Sequence, residues 1–323
     1  MDANNLYPPF TIGVDLGGTN TVYAIVDSVG HILSRNSFPT ATPTIEKWAD
    51  TLCSGITKLI EDNKMAGQIE GIGIGAPCAN AVTGCIEAAT DLPWPSPIPL
   101  ANMIEMRLVL NVVISNDANA AAIGEMTYGA AAGLDNFIVL TLGTGVGSGI
   151  VCDGHLLSGT KGFAGELGHM TFAFASDRKC SCGRTGCLQT VASAKGIKAT
   201  AIKFLDSSNE HSLLRSIPQN ELNPKKIEDA AKLGDNIARK VFEFTGECLG
   251  KAAAEFASIT DPEAIILFGG VAKAGELLLN PMRKAFSENA LHLYIDRVRM
   301  LTSGLDGADA AILGAASLPY LNH

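Results

Sequence analysis

The sequence predicts an α/β protein built from two halves with a similar order of elements. Each half opens with a strand, a glycine-rich turn and a returning strand; the turns lie at residues 16–20 and 143–147. Apolar side chains alternate beside these turns, which indicates strands, and recur every three or four residues in longer segments, which indicates helices. We therefore expect a duplicated domain with an active-site cleft between the copies, a repeat of element order rather than of residue identity.

The first half is expected to have the order β-β-β-α-β-α-β. Its helices are predicted at residues 45–60, where Trp48, Leu52, Ile56 and Leu59 share one face, and near residues 100–110. A proline-rich loop at residues 91–95 precedes the second helix. The predicted strands are residues 10–15, 21–27, 31–38, 69–76 and 111–115.

The second half continues with strands, helices and a closing helix near residues 309–318. Its strands are predicted at residues 137–141, 148–152, 264–268 and 294–301, and its other helices at residues 225–257 and 275–288. The predicted domains are residues 1–115 plus 306–323, and a larger one, residues 116–305, with an insertion at residues 166–189.

Composition restricts the class of protein. A chain of 323 residues with 47% hydrophobic and 18% charged residues buries a sizeable core and does not resemble a disordered protein. The net charge of −9 without a Lys/Arg cluster predicts no nucleic-acid or membrane partner. No apolar run has the length of a membrane span, and the first ten residues lack a signal pattern, so a cytoplasmic protein is expected.

The strongest local signal lies at residues 165–189. His169, Cys180, Cys182 and Cys187 form a Cys3His set. Thiolates and imidazole suit a closed tetrahedral zinc site, and three cysteines within eight residues favour structural zinc over three unrelated buried thiols.

Two further patterns indicate a phosphate ligand. Successive amides in the loops at residues 15–20 and 142–147 can bind phosphate oxygens, and neither loop fits a Rossmann or Walker pattern.

Asn116 and Asp117 follow a predicted strand. They are ordinary helix-capping residues, but the carboxyl end of a strand is also where α/β proteins bind ligands.

The stretch E-x-G-H at residues 166–169, followed by C-x-C-G-x-x-G-C at residues 180–187, resembles the signature of the ROK family of sugar kinases and repressors. The next signature position is usually Glu, and here it is Gln189. The resemblance extends over essentially the entire chain. It implies the duplicated, ribonuclease H-like fold of the sugar kinase, actin and heat-shock ATPase superfamily.

The resemblance also implies roles for individual residues. Asp117 would be the catalytic base, and Asp15 would lie near Mg²⁺. The two glycine loops would clamp the phosphates of ATP, and a third loop would contact the adenosine side. The residues of the phosphate loops are Gly17, Gly18, Thr19, Asn20, Gly143, Thr144 and Gly145, and those of the third loop are Gly269 and Gly270. The residues that would hold the sugar are Asn116, Asp117, Glu166, His169, Gln189 and the loop of Gly75 and Cys78. His169 would also ligate zinc.

The expected activity is ATP-dependent phosphorylation of a hexose 6-hydroxyl, with glucose the first choice and a homodimer the expected assembly. N-acetylmannosamine, N-acetylglucosamine, allose and fructose remain alternative substrates, because two positions depart from the family pattern. Relatives usually have Glu at the position of Gln189 and Gly at the position of Cys78.

A ROK repressor is the alternative from another class. Such relatives carry a helix-turn-helix domain ahead of the first strand, which here starts about ten residues in. The intact phosphate loops and Asp117 disfavour a non-catalytic sugar-binding module.

Overall fold

The computed structural model describes residues 10–88, 92–305, 307 and 309–322. These residues form two compact units. The first unit comprises the described residues up to Ala132, Leu156–Ala164 and those from Gly304 onward, and the second comprises Gly133–His155 and Gly165–Ser303. Each unit has its own apolar core. In the described part of the chain, no helix is long and apolar enough to cross a membrane.

The first unit is a sheet with helices. In chain order its elements are β1 (Phe10–Leu16), β2 (Asn20–Val26), β3 (Ile32–Pro39), α1 (Ile45–Asp62), β4 (Ile69–Gly75), β5 (Ala79–Asn80), β6 (Cys85–Ile86), α2 (Leu100–Leu108), β7 (Asn111–Ser115) and α3 (Asp117–Tyr128). The sheet order is β3-β2-β1-β4-β7, and β1, β4 and β7 run parallel. Because Asp15 pairs with Gly75 and Gly75 with Ser115, the carboxyl ends of these strands lie side by side.

The second unit repeats this arrangement. Its elements are β8 (Phe137–Leu142), β9 (Val146–Cys152), β10 (His155–Leu156), α4 (Gln189–Ala192), α5 (Ala194–Asp206), α6 (Pro224–Lys232), α7 (Asn236–Thr260), β11 (Ala264–Phe268), α8 (Glu276–Asn289) and β12 (Arg299–Thr302). Its sheet order is β10-β9-β8-β11-β12. As in the first unit, an antiparallel hairpin adjoins two further parallel strands, which confirms the predicted duplication.

The last α-helix of the described residues is α9 (Ala310–Ser317), which belongs to the first unit. Its backbone packs directly on the sheet. A Cβ at Gly13 would lie 2.3 Å from the Ile312 carbonyl oxygen, and one at Gly73 would lie 1.8 Å from that of Ala315. The Thr11 hydroxyl donates to the Ala316 carbonyl at 2.8 Å. Only glycine at positions 13 and 73 permits this approach of a helix to two strands.

The domain boundaries in the structure differ from the expected division, residues 1–115 plus 306–323 and residues 116–305. The first unit continues through α3 to Ala132, because α3 packs against α9. There Gly124 and Gly314 allow close contact, with a Cβ at Gly124 only 2.8 Å from the Gly314 Cα atom. Residues 156–164 also belong to the first unit.

The prediction of one helix over residues 225–257 is wrong. α6 ends at Lys232 and α7 starts at Asn236, because Gly234 has a φ of +94° and the Asp235 side chain caps α7 by accepting from the Ala238 amide. The strand predicted at residues 294–301 begins only at Arg299, after a turn in which Asp296 has a φ of +64°. α5 was not predicted, although Ser193 caps it and Ile197, Ala201 and Leu205 form its buried stripe. Asp91, in the predicted loop at residues 91–95, lies outside the described residues.

Replacing Gly73 with Ala should destabilise the first unit. The new methyl group meets the Ala315 backbone, which must move, and overpacking of this kind costs about 2–3 kcal/mol of unfolding free energy. Gly75→Ala is the matched control on the same strand, because a Cβ there makes only ordinary contacts of 3.8–3.9 Å, with the Ala120 Cβ, the Ala315 Cβ and the Val14 carbonyl oxygen. Urea and thermal unfolding of both variants measure the difference. Equal midpoints for the two variants would contradict the close packing of α9.

Candidate active site

Two carboxylates lie at the carboxyl edge of the first sheet. Asp15 is near the end of β1, and Asp117 begins α3 directly after β7. Burial and, to a smaller degree, the charge of Asp117 raise the pKa of Asp15. Burial also raises the pKa of Asp117, and the Ala118 amide offsets only part of this effect. The Asp117 side chain nevertheless keeps solvent-accessible surface, so a ligand can reach it.

The helix cap at this edge is Asn116, not Asp117. The Asn116 Oδ1 atom accepts from the Asn119 amide at 2.7 Å, which leaves the Asn116 side-chain amide group as the end that can meet a ligand. Asp117 uses Oδ1 to accept from the Ala118 amide at 2.9 Å. Helix capping was the alternative role for Asp117, but Asn116 is the residue that caps α3.

The first glycine loop is a tight turn braced by a buried threonine. The Gly17 amide donates to the Asn20 carbonyl at 3.1 Å, and the Thr40 hydroxyl donates to the Gly17 carbonyl at 2.7 Å. Gly18, Thr19 and Asn20 are exposed at the tip. Sequence reasoning missed Thr40, since no local pattern links it to a loop twenty residues earlier.

The loop after β4 contains Gly75 and Cys78. Cys78 is exposed and has a φ of +53°, in the left-handed region that favours glycine. Its carbonyl accepts from the Glu87 amide at 3.1 Å, which helps to hold this conformation. The expectation of glycine at this position in relatives therefore has a backbone reason.

The glycine loops of the second unit lie together. Gly143 follows β8 and Gly269 follows the neighbouring parallel strand β11. A Cβ at Gly269, whose φ is +97°, would lie 2.8 Å from the Leu142 carbonyl oxygen. Nothing lies within 4 Å of a Cβ placed at Gly143 or Gly270, so the backbone there is open to a ligand.

The predicted metal ligands come together in the second unit. One ligand atom from each of His169, Cys180, Cys182 and Cys187 lies within 4.8 Å of all the others. The Cys182 and Cys187 sulfurs are 3.7 Å apart, as are the Cys180 sulfur and the His169 Nδ1 atom. A tetrahedral site with Zn–S bonds of about 2.3 Å has sulfur–sulfur edges of about 3.8 Å, so the donor set fits zinc.

The thiols of this cluster perturb one another. Burial would raise the pKa of Cys180, but hydrogen bonds, from the Cys182 amide and the Gln189 side chain among others, lower it to about 6. Burial and then the neighbouring thiols raise the pKa of Cys187. Such a set holds three thiolates together only with a cation among them.

Glu166 precedes a single 3-10 turn, Leu167–His169, and His169 is its last residue. Glu166 is exposed, and the His169 Nδ1 atom faces the thiols, which leaves Nε2 for another partner. The turn is fixed by Ser148, whose hydroxyl accepts from the Leu167 amide at 3.1 Å and donates to the Gly165 carbonyl. Sequence reasoning had no signal for this role of Ser148.

Arg178 is a third residue that sequence reasoning missed. Its guanidinium donates to the Thr190 carbonyl at 2.8 Å, the Gly196 carbonyl at 3.3 Å and the Thr200 hydroxyl at 2.9 Å, and it lies over the Phe244 ring. Burial lowers its pKa. Arg178 thus anchors the cysteine-bearing segment against the helices α4, α5 and α7.

Gln189 was expected to contact a sugar hydroxyl. In the structure its side-chain amide donates to the Cys180 sulfur at 2.9 Å, and its oxygen accepts from the Val146 amide at 3.4 Å. Both ends of this side chain therefore have partners within the second unit.

Comparisons with known proteins agree with this arrangement. The model of the ROK family matches residues 11–320. A glucokinase from Halalkalibacterium halodurans is 37% identical over 317 residues, which are 95% of this chain and 94% of that protein. A xylose repressor from Caldicellulosiruptor bescii is 31% identical over 313 residues, 95% of this chain and 77% of that protein.

A solved structure shows the same fold. It is a ROK family glucokinase from Streptomyces griseus in complex with glucose and AMPPNP, with a TM-score of 0.77 and 35% identity over 96% of this chain and 98% of that one. With the family model matched along nearly the whole length and relatives above 30% identity, the chain belongs to the ROK family.

Proposed function

We propose that the chain is an ATP-dependent hexose kinase that transfers the γ-phosphoryl group to the 6-hydroxyl of glucose. The observation that carries this proposal is Asp117, an accessible carboxylate at the carboxyl end of β7 that is electrostatically coupled to Asp15. The glucokinases among the relatives are 37% and 33% identical to this chain, and the xylose repressor is 31% identical. The higher identity to the glucokinases, together with the accessible Asp117 carboxylate, favours the kinase over the repressor.

Asp117 acts as the base. Its carboxylate takes the proton of the sugar 6-hydroxyl while that oxygen bonds to the γ-phosphorus and the bond from phosphorus to the β,γ-bridging oxygen breaks, which releases ADP. General base catalysis of this kind contributes about a hundred- to ten-thousand-fold in rate. Asn116 presents its amide group beside the base and is suited to orient a sugar hydroxyl.

The glycine loops bind the nucleotide. Gly17, Gly18, Thr19 and Asn20 form the tip of one braced turn, and Gly143, Thr144 and Gly145 form the other. Gly269 and Gly270 adjoin the second turn and suit the adenosine side. Asp15 would hold Mg²⁺, which would supply charge neutralisation on the phosphates when bound.

Zinc has a structural part in this proposal. His169, Cys180, Cys182 and Cys187 would hold it, and a bound ion would supply a fixed anchor for the His169 ring. The Nε2 atom of His169 and the neighbouring Glu166 would then be available to a sugar. Gly75 and Cys78 form a further loop assigned to the sugar side. A homodimer stays a prediction of the family resemblance, and a cytoplasmic location stays a prediction of the sequence pattern.

The test of the activity is a substrate panel. Purified protein with ATP and Mg²⁺ is assayed for ADP release with glucose, fructose, allose, N-acetylglucosamine and N-acetylmannosamine. We expect the highest kcat/KM for glucose. A higher value for another hexose would replace the substrate, and the absence of turnover with any hexose would end the proposal.

Asp117→Asn should reduce kcat by about two to four orders of magnitude, because the amide keeps the shape of the side chain but cannot take a proton. Glucose binding, measured by calorimetry, should change little. Asp62→Asn, an exposed position on α1, is the control and should keep the parent rate. Turnover of Asp117→Asn within a few-fold of the parent would move the base elsewhere.

One zinc ion per chain should be found by elemental analysis. Cys182→Ser removes one of the four ligands and should lower both zinc content and thermal stability, since structural zinc contributes folding free energy directly. Cys85→Ser, outside the cluster, should retain zinc. Full activity of protein that contains no metal would contradict a structural role for zinc.

A further inference from the structure

Gln189 joins two parts of the second unit that have separate assignments. Its Nε2 atom lies 2.9 Å from the Cys180 sulfur, and its Oε1 atom accepts from the Val146 amide at 3.4 Å. Val146 is the first residue of β9, directly after the turn Gly143–Gly145. One side chain therefore bridges the metal cluster and the glycine loop assigned to the phosphates.

The glycine loop rests on the cysteine-bearing segment at other points as well. A Cβ at Gly168 would lie 1.9 Å from the Val146 carbonyl oxygen, so the turn that carries His169 packs on the same residue. The Ala194 amide, just after α4, donates to the Gly143 carbonyl at 2.8 Å. At Gly145, a Cβ would lie 3.0 Å from the Gln189 Oε1 atom. The loop has little freedom to move independently of the segment.

We infer that Gln189 is a positioning residue through which metal bound at the cluster sets the glycine loop and thereby strengthens nucleotide binding. The nucleotide-binding part of this inference rests on the proposed function, whereas the metal-binding part does not. It differs from the sugar contact expected at residue 189, because both polar ends of the side chain face other partners. Metal and nucleotide then form a thermodynamically coupled pair.

The chemistry of the amide suits this bridge. A thiolate accepts hydrogen bonds, and the Val146 amide donates one, so the residue between them must donate at one end and accept at the other. Glutamine does both. A glutamate keeps the acceptor toward Val146 but places a negative oxygen beside the Cys180 sulfur.

The experiment measures zinc affinity by chelator competition, with and without saturating AMPPNP and Mg²⁺. Gln189→Glu keeps the loop contact, Gln189→Met keeps the volume and removes both contacts, and Gln219→Glu adds the same charge at an exposed site of the second unit. Calorimetry gives the glucose and AMPPNP affinities of each holoprotein.

In the parent and in Gln219→Glu, AMPPNP should raise zinc affinity about fivefold or more, the lower range of allosteric coupling. Both Gln189 variants should bind zinc about ten- to a hundredfold more weakly, as when a group that supports a metal ligand is lost. Gln189→Met should also lose the effect of AMPPNP on zinc and bind AMPPNP more weakly, with glucose affinity unchanged.

Other results overturn the bridge. Unchanged zinc affinity in both Gln189 variants would do so, as would weaker glucose binding by Gln189→Met, which is the outcome if the glutamine itself contacts the sugar. A parent protein that phosphorylates no hexose refutes the proposed function instead, while the zinc affinities of the variants still decide the metal side of the bridge.

Discussion

The first unit depends on backbone-to-backbone contact between α9 and the strands β1 and β4. Gly13 and Gly73 have no side chain where the Ile312 and Ala315 carbonyls approach, so α9 lies directly on the sheet. α3 packs on the same helix through Gly124 and Gly314. This layer fixes α3 relative to β1, and the start of α3 and the end of β1 carry Asp117 and Asp15. A methyl group far from any ligand would therefore disturb the spacing of two carboxylates.

The second unit meets a different constraint, since three thiols and an imidazole lie within one small volume. Without a cation, ionising one thiol opposes ionising the next, and the opposite shifts in the pKa of Cys180 and Cys187 express this competition. A bound metal removes it, because every thiol can then be a thiolate. The segment around the cluster has little regular structure of its own, so Arg178 and Ser148 supply contacts that helices or strands would otherwise provide.

Patterns that act over short range were readable from the sequence. The ligand spacing from Cys180 to Cys187 predicted a cluster, and side-chain patterning predicted the strand that carries Asp15 and the strand that precedes Asn116, since each depends on neighbours along the chain. The break at Gly234 and Asp235 was also visible, as a glycine that ends one helix beside an aspartate that caps the next, but the long apolar periodicity outweighed it. Gly13 and Gly73 could not be interpreted, because a glycine inside a strand does not name the distant helix that needs it. The partners of Gln189 were hidden for the same reason.

The departure at Gln189 is best understood through charge. Zinc with three thiolates and a neutral imidazole carries a net negative charge, so a carboxylate at residue 189 would be repelled from the Cys180 sulfur. The family resemblance implies that a glutamate at this position binds sugar hydroxyls. Repulsion from the thiolates would turn its carboxylate away from the metal cluster and toward the sugar. A neutral amide has no such penalty and can donate to the sulfur, as it does here. The exchange gives up one charge-assisted hydrogen bond to a sugar, worth about 1–2 kcal/mol more than a neutral one. It gains a connection between the metal cluster and the loop that begins β9.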